Sequence, residues 1–170
     1  MFDDLNLQSS LYVLLKAVHI ASLIFWLGPS LGAWWLLRST THRFGEPSMT
    51  SQFLYQVFLK VAGVEHLALL TLLISGGLMG VLADGFTQSW LLVKLFLVAV
   101  IVIPLEVIDI WFCHYKLPRL FHQRHPSRPY AVQESRLLES YHTRFVPLAL
   151  IGIPFAVISI FWLAIAKPFN

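Results

Sequence analysis

Four long apolar runs constrain the fold of this chain more than any other feature of its sequence. Each run is long enough to cross the hydrocarbon core of a bilayer as an α-helix, which takes about 20 residues. None of them alternates apolar and polar residues as the strands of a membrane β-barrel do. Because lipid offers the backbone no hydrogen-bond partners, helices are the spanning structure that these runs predict. The runs cover roughly residues 11–37, 57–83, 89–113 and 145–166.

The composition also indicates an integral membrane protein. Of the 170 residues, 57% are hydrophobic and 12% are charged, whereas about a quarter of the residues in soluble domains are charged. We therefore predict an all-α, four-helix transmembrane bundle in which residues 1–170 form a single domain. The single cysteine, Cys113, excludes an intrachain disulfide. The net charge of +3 comes from cations beside the apolar runs, which indicates contact with lipid and no nucleic-acid partner.

The distribution of lysine and arginine predicts the orientation of the bundle. These residues concentrate in the connectors that follow the first and third runs, whereas the connector after the second run carries only Asp84. Because lysine and arginine are enriched on the cytoplasmic side of membrane proteins, we place both basic connectors inside the cell. Both termini then face outward, and an even number of crossings agrees with this N-out/C-out arrangement.

The connector between the third and fourth runs contains helix-breaking residues and a short amphipathic segment. We expect Pro118 to end the third helix and the stretch His125-Pro-Ser-Arg-Pro129 to form a turn. Residues 131–142 then carry apolar side chains at helical spacing among charged ones. This pattern predicts a short amphipathic helix in the cytoplasmic loop, which lies on the inner leaflet or docks a partner.

Polar residues inside the apolar runs are the candidate functional residues, because a charge at mid-membrane costs about 2.5–3.5 kcal/mol. His19 in the first run and Lys94 in the third are predicted at the same depth in the outer half, and we call them the outer pair. His19 either bonds to a neighbouring helix or ligates haem or another metal. Lys94 either pairs with a haem propionate or reaches the outer headgroups. Trp26, on the same helix face as His19, completes this candidate cofactor-binding set.

A second group of polar residues is predicted in the inner half of the membrane, and we call His66, Glu106 and Asp109 the inner cluster. Glu106 and Asp109 are three residues apart on one helix, and two such carboxylates cannot both stay charged in lipid without cations nearby. The inner cluster is an ion-paired group that sets helix register, a metal site, or a proton path from the cytoplasm. Its spacing matches no specific metal signature.

The histidine positions bear on one class of haem protein. A two-haem b-type cytochrome needs facing imidazoles at matched depths, and the outer half has only His19. The sequence therefore disfavours two bis-histidine haems. It leaves open a single haem on His19, or an inner bis-histidine site made by His66 with His142 or His114.

Several motifs resemble those of known membrane proteins. The stretch Leu15-Lys-Ala-Val-His19-Ile with Trp26-Leu-Gly28 resembles the opening helix of small bacterial four-helix membrane proteins, among them HemJ-type protoporphyrinogen oxidases and copper-resistance protein D domains. The stretch Trp90-Leu-Leu-Val-Lys94-Leu resembles the start of their third span. Lys116-Leu-Pro-Arg119-Leu resembles a basic motif that these proteins carry after a helix.

Nearly the whole chain resembles a family of predicted bacterial integral membrane proteins of unknown function. The C-terminal stretches Gly152-Ile-Pro154-Phe and Ile165-Ala-Lys167-Pro168 are similar to the usual ending of its members. This resemblance implies a multi-pass protein of the bacterial inner membrane.

The HemJ-type resemblance implies haem b bound through His19, with Lys94 at the lysine position of the third span, and porphyrinogen oxidation as the activity. The leading hypothesis is therefore a haem-b-binding redox protein, either porphyrinogen-oxidase-like or an electron-transfer subunit. Its expected partners are a porphyrin or quinone and other membrane subunits. The alternative is a non-enzymatic membrane subunit or a metal-handling protein that resembles the copper-resistance proteins and lacks haem. Whether the protein is an enzyme is left open.

Overall fold

The computed structural model describes residues 2–44, 48–82, 85–122 and 131–167, which are almost entirely helical and contain no strand. Four of the helices are long and apolar enough to cross a membrane, as the four apolar runs predict. We call them α1 to α4 in chain order: Ser9–Phe44, Met49–Leu82, Ser89–Phe121 and Val132–Ala166. In α1 the helical backbone already begins at Phe2, and the helix is interrupted at Gly28, directly before Pro29.

The helices extend beyond the apolar runs. Each has 33 to 36 residues, which at the helical rise is about 50 Å and exceeds the roughly 30 Å hydrocarbon core. The helices therefore continue past residues 37, 57, 113 and 145, where the apolar runs begin or end, because hydropathy marks the extent of lipid contact and not the limit of the helix. The bounds of the spans themselves stay predictions. Asp84 and the turn at 125–129 lie outside the described residues.

Three π-helical segments interrupt the regular helix in α3 and α4, and each precedes a proline by two residues. The segments are Val98–Val102 before Pro104, Trp111–Lys116 before Pro118, and Ser140–Phe145 before Pro147. In each case the residue before the proline donates its N–H to the carbonyl five residues back. Proline lacks an N–H and its ring collides with the carbonyl four residues back. A π turn accommodates that collision without ending the helix.

The π turns correct two expectations about the third connector. Pro118 does not end α3, which continues through Leu117–His122. The amphipathic helix is present as Val132–Glu139, but it is not separate: a π segment joins it directly to Val146–Ala166 in α4. Its buried residue Leu138 belongs to the core of the bundle. The apolar face of the segment thus packs on protein.

The helices pack in chain order, α1 on α2, α2 on α3 and α3 on α4. Helices α3 and α4 run antiparallel, since the Lys167 ammonium after the end of α4 lies 5.6 Å from the Trp90 ring at the start of α3. The larger core group surrounds Tyr55, Leu117 and Tyr141, and a smaller one surrounds Trp26 and Ala156. Many large apolar side chains lie on the outside, which suits a lipid environment.

Candidate functional site

The His19 imidazole is held against α2 by two polar groups of that helix. Its Nδ1 lies 3.0 Å from the carbonyl oxygen of Leu72 and 3.1 Å from Oγ of Ser75. The carbonyl can only accept, and the Ser75 hydroxyl donates to the carbonyl of Thr71 at 2.7 Å. Nδ1 therefore carries the hydrogen and donates it. In the neutral imidazole this leaves Nε2 with its lone pair.

A glycine makes room for this imidazole. A Cβ added at Gly76 would lie 2.9 Å from Cε1 and 3.3 Å from Nδ1 of His19. The sequence spacing Gly76-xxx-Gly80 predicts a close helix approach, and the structure shows one at Gly76, where His19 of α1 lies against α2. At Gly80 the close neighbour is the Phe86 ring, which would lie 2.8 Å from an added Cβ.

Gly76→Ala is expected to lower the free energy of unfolding by about 1–3 kcal/mol relative to Gly77→Ala, because the new methyl group displaces the His19 ring. Gly77 is the matched control, since a Cβ there meets no atom within 4 Å. Both variants gain the same helix propensity from the glycine-to-alanine change. The difference between their free energies of unfolding therefore reports the contact with His19 alone. Denaturant unfolding in detergent micelles measures it. Equal stability of the two variants would contradict the packing of His19 on α2.

Lys94, the second member of the outer pair, is half-buried on α3. The structure gives no direct bond between its ammonium group and the His19 imidazole among the described residues, so a shared site for the two side chains stays a prediction.

The inner cluster also comes together. His66 Nε2 lies 3.1 Å from Oδ2 of Asp109 and 3.9 Å from Oε2 of Glu106. Because a carboxylate only accepts, Nε2–H of His66 donates to Asp109. The other ring nitrogen of His66, Nδ1, lies 2.9 Å from Nε2 of His114. His114 and His66 therefore form a hydrogen-bonded pair between α3 and α2, and His66 connects this pair to the two carboxylates on α3.

Asp109 connects three helices. Besides His66 on α2, it accepts a hydrogen bond at 3.0 Å from the hydroxyl of Tyr141 on α4. The thiol of Cys113, one turn further along α3, lies 3.5 Å from Oδ2. Two of the π segments carry these partners, since Cys113 and Tyr141 lie in the second and third of them. π turns occur frequently at functional sites.

Glu106 is the most deeply buried acid that the structure describes, with 3% of its surface exposed. Its Oε1 accepts a hydrogen bond at 2.8 Å from the indole N–H of Trp26 on α1. Its Oε2 has no hydrogen-bond partner within the described part of the chain. A buried carboxylate oxygen without a donor is costly, so a further donor that reached this atom would be bound favourably.

Glu106 also lines a cavity of about 150 Å³, and all four helices contribute to its wall. Three of its lining residues are acids, Glu65, Glu106 and Asp109. The remainder are apolar or aromatic, and the aromatic ones are Trp26, Trp34, Phe58, Tyr141 and Phe145.

His142 forms a separate polar junction that the sequence did not reveal. The Trp34 indole on α1 donates to Nδ1 of His142 at 3.2 Å, and Nε2 of His142 lies 2.7 Å from the hydroxyl oxygen of Tyr55 on α2. With Nδ1 as acceptor, the neutral ring donates from Nε2 to Tyr55. His142 is 5% exposed. This histidine therefore ties α4 to α1 and α2 in the core.

The structure divides the sequence-predicted site residues into two places. His66, Glu106 and Asp109 lie together, whereas His19 bonds to Leu72 and Ser75 on α2. Trp26 bonds to Glu106 and so lies with the inner cluster, two turns from His19 along α1. Sequence reasoning missed the roles of Tyr141, Tyr55 and Trp34, because aromatic residues in apolar runs give no signal of a specific partner.

No group of three or more histidine, cysteine, aspartate or glutamate side chains among the described residues is arranged to hold a metal ion. His66 lies near both carboxylates, but its Nε2 donates a hydrogen bond to Asp109 and so has no lone pair to offer a metal ion in this arrangement. The metal site remains a prediction.

Comparison with known proteins gives one match. A family model described as a predicted integral membrane protein (DUF2269) matches residues 13–168. No curated protein and no solved structure matches the chain. Because the family model covers nearly the whole sequence, this multi-pass membrane protein belongs to the DUF2269 family of predicted integral membrane proteins.

Proposed function

We propose that this protein binds haem b through His19 and acts in electron transfer within the bacterial inner membrane. One observation carries the proposal: the Leu72 carbonyl holds Nδ1–H of His19 at 3.0 Å, which leaves Nε2 as the ligating atom. Metal-bound histidines almost always donate their other ring N–H to a carbonyl or carboxylate in this way. The resemblance of the first helix to HemJ-type oxidases favours haem as the bound group.

Two further residues support this role of His19. Gly76 lets the imidazole ring pack directly on α2, which fixes its orientation, and Lys94 would pair with a propionate. A second histidine ligand is not offered by His66 or His142, whose ring nitrogens bond to Asp109 and to Trp34. Haem, if bound, would supply one-electron transfer to or from a porphyrin or quinone substrate. Other membrane subunits would accept or deliver the electrons.

His19→Ala is expected to abolish haem binding. Wild-type protein, purified in mild detergent after expression with a haem precursor, should show a Soret band that shifts when dithionite is added. The variant should lose this band at equal protein yield, because its axial ligand is gone. His42→Ala is the control, since His42 is an exposed histidine near the other end of α1. Wild-type protein without a Soret band after incubation with haemin, or a variant that keeps it, would refute the proposal.

A second candidate is a metal-handling or non-enzymatic subunit without haem. The approach of His66 to both Asp109 and Glu106, at 3.1 and 3.9 Å, favours it. Metal analysis of the same preparations separates the candidates. Iron in proportion to the Soret band supports haem, whereas another metal in stoichiometric amount without a Soret band supports metal handling.

A further inference from the structure

We propose that the cavity between the four helices binds a compact organic cation, a protonated or quaternary amine with apolar substituents, which reaches it from the lipid. This site is separate from the outer pair and does not depend on haem. The binding site is the cavity itself, whose wall is formed by Trp26 on α1, Glu106 on α3 and residues of α2 and α4.

The first argument is the unpartnered oxygen of Glu106. This residue lines the cavity, is 3% exposed, and has Oε2 without a hydrogen-bond donor among the described residues. The nearest cationic candidate is Nε2 of His66, which at 3.9 Å is beyond hydrogen-bond range and donates to Asp109 instead. A cation in the cavity that Glu106 lines would place a positive charge beside this buried carboxyl group.

The second argument is the chemistry of the wall. Three acids and five aromatic residues line the cavity, and its described lining includes no lysine, arginine or histidine. Aromatic faces attract cations, and cages of aromatic rings recognise quaternary ammonium groups. An anion would meet only repulsion from the acids. A dehydrated metal ion would need several polar ligands at once, and most of this wall is apolar.

The third argument is size and access. A cavity of about 150 Å³ holds a group of benzene size, which is comparable to a trimethylammonium head. Leu31 on α1 and Leu150 on α4 line the cavity and are 51% and 38% exposed. These two leucines are the partly exposed part of the wall, and apolar substituents of a ligand that enters from lipid would lie against them.

The test compares benzyltrimethylammonium with neopentylbenzene, its uncharged isostere, on the purified full-length protein in detergent micelles. Tryptophan fluorescence reports binding, because Trp26 and Trp34 line the cavity. We expect saturable quenching by the cation and at least tenfold weaker binding of the neutral isostere. Glu106→Gln should weaken cation binding at least tenfold. Glu139→Gln is the matched control, since Glu139 is exposed on α4 outside the cavity.

A second variant keeps the test valid if Glu106→Gln does not fold. Ala149→Leu leaves every charge in place and fills the cavity that Ala149 lines, so it should also abolish cation binding. Equal binding of the neutral isostere, or unchanged cation affinity in both variants, would overturn the proposal. Displacement of the bound cation by equimolar Zn²⁺ would overturn it as well and favour metal handling.

Discussion

Asp109→Ala is expected to lower the free energy of unfolding by about 2–4 kcal/mol. The Asp109 carboxylate accepts from His66 on α2 and Tyr141 on α4 and contacts the Cys113 thiol. Interhelical hydrogen bonds in membranes contribute about 0.6–1.7 kcal/mol each. The substitution also leaves the hydroxyl of Tyr141, a buried residue, without this carboxylate.

Denaturant unfolding of the purified protein in micelles measures this loss. Asp109→Asn keeps an acceptor oxygen and should cost less than Asp109→Ala. Glu139→Ala is the control, because Glu139 is exposed on the surface of α4, and it should stay within about 0.5 kcal/mol of the wild type. If Asp109→Ala were as stable as this control, Asp109 would not join the three helices.

His142→Ala should lower the free energy of unfolding by about 2–4 kcal/mol, mainly through truncation of a buried ring. The ring also accepts from Trp34 and bonds to Tyr55, so the variant removes two contacts between helices. His142→Phe keeps most of the ring volume and should cost only the hydrogen bonds, about 1–2 kcal/mol. The difference between the two variants separates packing from hydrogen bonding.

The same variants distinguish a structural histidine from a ligand. His142→Phe should retain any Soret band of the wild-type protein, because its nitrogens are occupied by Trp34 and Tyr55. Loss of the band in a folded His142→Phe protein would place haem near His142 and not at His19. His42→Ala, at an exposed position, again serves as the control for stability.

Helix ends were the least predictable part of the fold. Pro118 reads as a stop signal in isolation, yet α3 passes through it because Leu117 donates its N–H to Phe112 in a π turn. A π turn before Pro147 likewise joins the amphipathic segment to the rest of α4. Proline removes one hydrogen bond, and whether the helix ends or widens there depends on what the following turn packs against. Leu117 and Phe121 are buried in the core, and that burial favours continuation.

The amino-acid sequence by itself determined that the chain forms four membrane-spanning helices and that its polar residues lie at two depths. Both conclusions rest on hydropathy and on distance along a helix, which are local properties of the chain. They correctly brought Glu106 to Asp109 and His66, since residues at matched depth in one small bundle have few other neighbours.

Only the tertiary structure decided which groups are partners across helices. Trp26 shares a helix face with His19, but it donates to Glu106 because α1 crosses α3 at that level. Tyr141 and His142 are adjacent in sequence, yet one bonds to Asp109 and the other to Tyr55 and Trp34. These contacts are set by the rotation and tilt of each helix and by the π turns. Rotation and tilt in turn depend on how all four helices pack together. For that reason the polar residues could be placed in the membrane from the sequence, whereas the cavity and the free oxygen of Glu106 could not.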